Sequence, residues 1–143
     1  MTNNLEHKLN PDEYRTILQG IELIDISLKD SKTFVNKDIL QPNDLEINIK
    51  DQSSYEVGKD GLVIMVQQYS IDARKPKSKT RYFQATTTYL VRLKSEQPIT
   101  KDFFDIYKEV SLPLNTWPFF REFIYSMTSR MNIPHVTLPL LKR

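Results

Sequence analysis

The order of hydrophobic patterns along this chain predicts an α+β fold, with four antiparallel strands followed by two helices. Three observations lead there. Four stretches before residue 95 alternate apolar and polar residues with a period of two. After residue 100 the apolar residues recur at steps of three and four instead. The chain has 143 residues, 39% hydrophobic and 27% charged, enough for one domain that buries on the order of 70% of its unfolded surface.

Residues 1–12 are polar and read as a flexible arm, leaving residues 13–143 as a single domain. Over residues 14–29, Ile17, Gln19, Ile21 and Leu23 alternate in one phase, and Ile24, Ile26 and Leu28 in the other. A one-residue phase slip is the signature of a β-bulge, so a first strand bulged near Leu23 and Ile24 is expected. Ile17, Ile21, Ile24 and Leu28 also fit helical spacing, but the β-branched content favours a strand. Residues 30–42 carry Phe34, Val35, Ile39 and Leu40 among polar neighbours. That is too long for a hairpin turn and implies a crossover to a non-adjacent position.

Leu45, Ile47 and Ile49 alternate over residues 44–50, a half-buried second strand. Residues 52–60 read as a turn around Gly58, and residues 61–74 as the third strand. Residues 62–66 are apolar on both faces, as in a strand that is central or covered by a second layer. After a turn at residues 75–78, residues 81–94 form the fourth strand. Phe83, Ala85, Thr87, Tyr89, Val91 and Leu93 lie on one face and more polar residues on the other.

Thr100 is the expected cap of a short helix that aligns Phe103, Phe104, Tyr107 and Val110 and ends before Pro113. The last helix is expected to start at Thr116 as N-cap, with Pro118 in the first turn. Trp117, Phe120, Ile124, Met127 and Met131 form its stripe, and Phe119 and Phe123 a second flank. A helix apolar over so much of its circumference needs more than one surface to lie against.

Composition narrows the function classes. Twenty basic and eighteen acidic residues give a formal charge of +2, too balanced to indicate nucleic acid. Without cysteine there is no disulfide framework and no thiolate nucleophile. His7 and His135 stand in no metal-ligand spacing, and three glycines cannot form a phosphate-binding loop. No enzyme, cofactor or metal is therefore expected. No apolar run reaches the roughly 18 residues of a membrane span, and the N-terminus lacks the pattern of a signal peptide. The expectation is a soluble cytoplasmic protein with no membrane partner.

Arg74, Lys75, Lys77, Lys79 and Arg81 flank one turn and could contact phosphates. Alternating hairpin residues face opposite sides, however, and hairpin tips are commonly basic to stay solvated, so nucleic acid is not the expected partner. The apolar excess on the helices and crossover is more informative. It has three open explanations: ordinary core, a homo-oligomer interface, or a groove for apolar client segments.

The stretch Pro113-Leu114-Asn115-Thr116-Trp117-Pro118-Phe119-Phe120-Arg121-Glu122 resembles the SecB export-chaperone pattern of a proline lead-in, aromatic-Pro-aromatic, then Arg-Glu. Ser129-Arg130, a small turn, Pro134 and an alternating apolar segment to Pro139 are similar to the C-terminal part of that family's pattern. Asp25-Ile26-Ser27-Leu28 and Gln41-Pro42 resemble its first strand and the approach to its second. The likeness spans about residues 14–140. It implies a four-stranded antiparallel Greek-key sheet with two C-terminal helices, in subunits that pair into dimers and dimers of dimers.

The resemblance also implies ATP-independent binding of unfolded or non-native polypeptides in apolar grooves between the crossover and the long helix. On this chain the client-peptide-binding positions are Phe34, Ile39, Leu40 and Leu45 on the crossover side and Trp117, Phe120 and Ile124 on the helix. Phe103, Phe104, Tyr107, Phe119 and Phe123 become the expected oligomer interface. Export proteins of this kind are acidic and dock the SecA motor through an acidic sheet face and tail. This chain is slightly basic and ends at Arg143, so SecA is not an expected partner. Antitoxin clients join preproteins as candidates. The alternative is a SecB-fold oligomer with a structural or adaptor role and no general chaperone activity.

Overall fold

A computed structural model of the chain describes residues 9–40, 42–134 and 138. The order is α1 (Pro11–Gln19), β1 (Ile21–Val35), β2 (Glu46–Val57), β3 (Leu62–Arg74), β4 (Arg81–Ser95), α2 (Lys101–Tyr107) and α3 (Ser111–Arg130). The four antiparallel strands lie in the order β1-β4-β3-β2. Strands β2 to β4 form a meander, and the β1–β2 connection crosses from one edge of the sheet to the other. That is the Greek key, with the expected crossover and two C-terminal helices.

Residues 11–19 are a helix and not the start of β1. Asn10 caps it by accepting from the Glu13 amide at 2.8 Å, and Pro11 occupies the first turn, where its missing N–H is harmless. The helical spacing seen across residues 17–28 therefore belongs partly to a real helix that ends at Gly20. The strand proper begins at Ile21, and its register slips between Leu23 and Asp25, where the bulge was expected. A second slip falls between Leu28 and Asp30. The strand then runs on to Val35, which shortens the crossover. β2 likewise extends through Val57, so residues 52–57 are ladder and not turn. Polar residues at an exposed edge explain the misreading: Gln52, Ser53 and Ser54 give no alternation to detect.

The β2–β3 turn needs Gly61, whose φ is +80° and whose Cβ position would lie 2.6 Å from the Ser95 carbonyl. On β3, Val63, Met65, Gln67, Tyr69, Ile71 and Ala73 are all buried, and so is the expected β4 row from Phe83 to Leu93. These two rows are the floor on which the helices lie. A slip between Ala73 and Arg74 turns Tyr82 inward beside Phe83.

Thr100 caps α2 as expected, accepting from the Phe103 amide at 3.2 Å. The start of α3 is earlier than the sequence suggested. It begins at Ser111, so Pro113 lies in its first turn and Pro118 in its interior. Thr116 is buried within the helix, where its hydroxyl donates to the Leu112 carbonyl at 2.8 Å and lies 2.8 Å from the Tyr69 hydroxyl. A Thr-x-Pro sequence mimics a helix start, and local sequence cannot show that the preceding turn is already helical.

Candidate functional site

Two apolar clusters share the helical face of the sheet. The first gathers Tyr69, Ile71, Ala73, Tyr82, Phe83, Ala85, Tyr89, Trp117, Phe120, Ile124 and Leu138. Val35, Ile39, Leu45, Phe123, Met131 and Ile133 pack against it, half-buried. The crossover and α3 thus converge on one place, and hydrogen bonds fasten them there. The Lys37 ammonium donates to the Met131 carbonyl just past the end of α3. That position suits a cation, because unpaired carbonyls gather at a helix C-terminus. The Asn36 amide donates to the Tyr82 carbonyl at 2.8 Å, tying the start of the crossover to β4.

Tyr69 is the hub of this cluster and was not singled out in the sequence. Its ring stacks on Phe120 at 4.9 Å and meets Trp117 edge-on at 5.3 Å. Its hydroxyl reaches Thr116. The available signal was its place in the inward row of β3, opposite Thr87 of β4.

The expected client-binding residues separate into three groups. Ile39 and Leu45 of the crossover pack against the cluster to which the α3 stripe also belongs. Trp117, Phe120 and Ile124 are its floor and are buried, so in the single subunit they are core and not an open groove wall. Phe34 faces the other way. It pairs with Gln84 on the open face of the sheet and is 47% exposed, whereas the adjacent Val35 packs into the cluster. Alternation along β1 decides this, because neighbouring residues take opposite faces. Leu40 remains, 86% exposed and next in the chain to Ile39, which packs on the cluster. A leucine so open, one residue along the chain from a side chain packed on the cluster, offers an accessible apolar lip.

The second cluster holds Val63, Met65, Val91, Leu93, Ile99, Phe103, Phe104, Tyr107 and Leu112. Three of the five expected interface residues, Phe103, Phe104 and Tyr107, are thus covered inside their own chain by the sheet and α1. Within the subunit α1, where the sequence suggested arm and strand, supplies part of that cover. Phe123 is half-buried against the first cluster, whereas Phe119 is 48% exposed on α3. Leu114 and Tyr125 of the same helix are exposed as well.

A polar seam runs between the clusters. Gln67, Thr87 and Tyr89 are buried there, and among the described residues Gln67 Oε1, Thr87 Oγ1 and the Tyr89 hydroxyl have no well-placed partner. The Gln67 amide donates to Asp51 at 3.2 Å. Burial pushes the Tyr89 phenol above its ordinary pKa; a weak contact with Thr87 acts the other way, and the nearby Glu122 charge adds to the rise.

Several charges elsewhere are paired locally. Arg74 and Arg81 both bind Asp72, at 2.6 and 3.0 Å, and Lys79 binds Glu46 at 3.2 Å. Three of the five cations around the hairpin are thus partly neutralised, as suits a solvated tip. Asp25 and Arg92 pair across β1 and β4 on the open sheet face. The arginine's hydrogen bond and charge hold the Asp25 carboxyl below its usual range. Among the described residues there is no cluster of three or more His, Cys, Asp or Glu that could hold a metal, and no helix long and apolar enough to cross a membrane. His7 and His135 lie outside the described residues.

The architecture is that of the SecB-like chaperones. The Mycobacterium tuberculosis Rv1957 SecB-like chaperone, solved in complex with a ChAD peptide from the Rv1956 HigA1 antitoxin, is similar to this chain with a TM-score of 0.74 and 14% identity. The match covers 88% of this chain and 94% of that one. A Streptococcus agalactiae protein of unknown function matches at a TM-score of 0.41 and 10% identity, over 84% of this chain and 97% of its own. No protein-family model and no curated protein matches the sequence.

Proposed function

We propose that this chain is an ATP-independent chaperone that captures apolar segments of non-native polypeptides where the crossover meets α3. The observation that carries the reading is the convergence of Ile39, Leu45 and the α3 stripe on one aromatic cluster, with Leu40 open at its edge. An apolar client side chain laid on that lip leaves water as Leu40 does, a gain of roughly 1.5–3 kcal/mol for each large side chain fully buried. The antitoxin peptide carried by the similarly folded Rv1957 chaperone supports a short segment of a partner protein as the client. Preproteins for export are the other client class. Exposed Leu114, Phe119 and Tyr125 on α3 support assembly into a homo-oligomer through that helix.

A second reading, a structural or adaptor oligomer on the same fold, draws on the burial of Trp117, Phe120 and Ile124. One experiment separates them. The purified chain, without ATP, is expected to suppress light scattering by a chemically denatured, aggregation-prone protein. Leu40→Asp should weaken suppression several-fold with an unchanged circular dichroism spectrum. Absence of suppression by the parent chain would favour the adaptor.

A further inference from the structure

The second aromatic cluster is covered in part by a short helix that sits at the edge of the core. No residue of α1 is fully buried. It meets the cluster through Tyr14 and Ile17, with Leu9 before it and Ile21 after it. Beneath it lies Phe103, itself 0% exposed, with Tyr14 stacked on its ring at 4.8 Å. Tyr107 continues the surface, its ring 5.6 Å from that of Phe103. Nine residues are too few to hold a helix in water without such contacts. By contrast, α2 and α3 each place several side chains in the core. An element with few buried contacts opens at lower cost than the body it covers.

We infer that α1 is a displaceable cover, and that the Phe103–Tyr107 surface beneath it is a second binding site for an apolar client segment. The resident helix specifies the ligand chemistry: a short amphipathic segment with an aromatic residue followed three positions later by an aliphatic one, as in Tyr14 and Ile17. The site lies on the opposite half of the sheet from the crossover lip. Gly20 is the hinge. It closes α1 through its amide on the Ile17 carbonyl at 3.0 Å, and its carbonyl accepts from the Glu96 backbone amide at 3.0 Å, so the chain beyond it stays anchored. Lifting α1 uncovers aromatic surface without breaking the sheet. The ligand role rests on the chaperone reading; the cover itself does not.

The test uses the full chain and a fluorescent peptide of residues 9–21 as probe. In hydrogen exchange, the α1 amides should exchange at least about tenfold faster than those of β3 and β4. The peptide should bind a Tyr14→Ala/Ile17→Ser variant at least about tenfold tighter than the parent, because a resident cover reduces apparent affinity by the fraction of time the site is open. Asn10→Ala, which frays the helix without touching the surface, should act in the same direction. A permanently unfolded polypeptide should compete with the peptide. Equal protection of α1 and the strands, or no peptide binding to either variant while both retain the parent's sheet spectrum, overturns the cover. Peptide binding that the unfolded polypeptide does not displace, although that polypeptide binds the parent, overturns the client role of this site alone. An unfolded polypeptide that binds no form of the chain defeats the chaperone reading and leaves the cover standing.

Discussion

At the scale of single residues, Leu40 and Phe120 show how differently two apolar side chains of one expected site behave. Leu40 is exposed and Phe120 is fully buried and stacked on Tyr69. Phe120→Ala should lower stability by about 3–5 kcal/mol in urea unfolding, as large cavities do. An acidic residue there should abolish the fold, so only Leu40 can report on binding separately from folding. The seam offers the opposite case. Thr87 Oγ1 is buried with no well-placed partner among the described residues, so Thr87→Val removes an unmet polar group at nearly constant shape. Its expected effect is between neutral and about 1 kcal/mol of stabilisation; a clear loss would show that the hydroxyl is satisfied by its neighbour Tyr89. The inward β4 row was legible in the sequence because alternation marks it. The closure of Phe120 was not, because burial depends on what lies above a stripe as well as on the stripe.

At the scale of elements, the caps and breakers were read well only where the local signal was unambiguous. Thr100 performs its expected role; Thr116 does not, because α3 has already made a turn before it. Pro118 consequently sits where its missing N–H leaves the Leu114 carbonyl without its helical donor. Both residues are exposed, so water can serve that carbonyl. Pro118→Ala should raise stability by about 1 kcal/mol: the full proline penalty of roughly 3 kcal/mol is offset by hydration and by a freer unfolded chain. The check is a higher urea midpoint with an unchanged slope. On α2, Lys101 and then Lys108 hold the Asp105 carboxyl below its usual range. The paired carboxylate adds stability above the ordinary carboxylate pKa and loses it as pH falls through the lowered value. Asp105→Asn should therefore flatten the acid limb of the stability profile, modestly, since Lys101 is largely exposed.

For the whole molecule, tyrosines shielded from water should contribute to the loss of stability at alkaline pH. Burial raises the phenols of Tyr14, Tyr89 and Tyr107 above the ordinary value of 10.0. Their neutral forms favour the folded state, so stability is intact below that value and declines as pH rises from it toward the raised ones. Tyr107→Phe should reduce the decline measured between pH values on either side of 10.0. Assembly is the second property at this scale. With Leu114, Phe119 and Tyr125 exposed on one helix and Leu23, Leu28, Ile47 and Val57 on the two edge strands, light scattering at micromolar concentration should find an oligomer. A monodisperse monomer would leave those surfaces without a role in assembly.

The sequence alone determined the four strands, the bulge after Leu23, the crossover and the helical C-terminus, because each is written in a local period or cap. It also carried the family likeness, through the Trp117-Pro118-Phe119-Phe120 run and its flanks. Tertiary structure decided which apolar residues remain accessible. Phe34 turned to the far face by strand alternation, Trp117 and Phe120 sank into a cluster with β3 and β4, and Phe103 was covered by Tyr14 of α1. The reason is physical. A period records which residues share a face, but exposure depends on contacts between elements far apart in sequence, and a single sequence does not display those pairings.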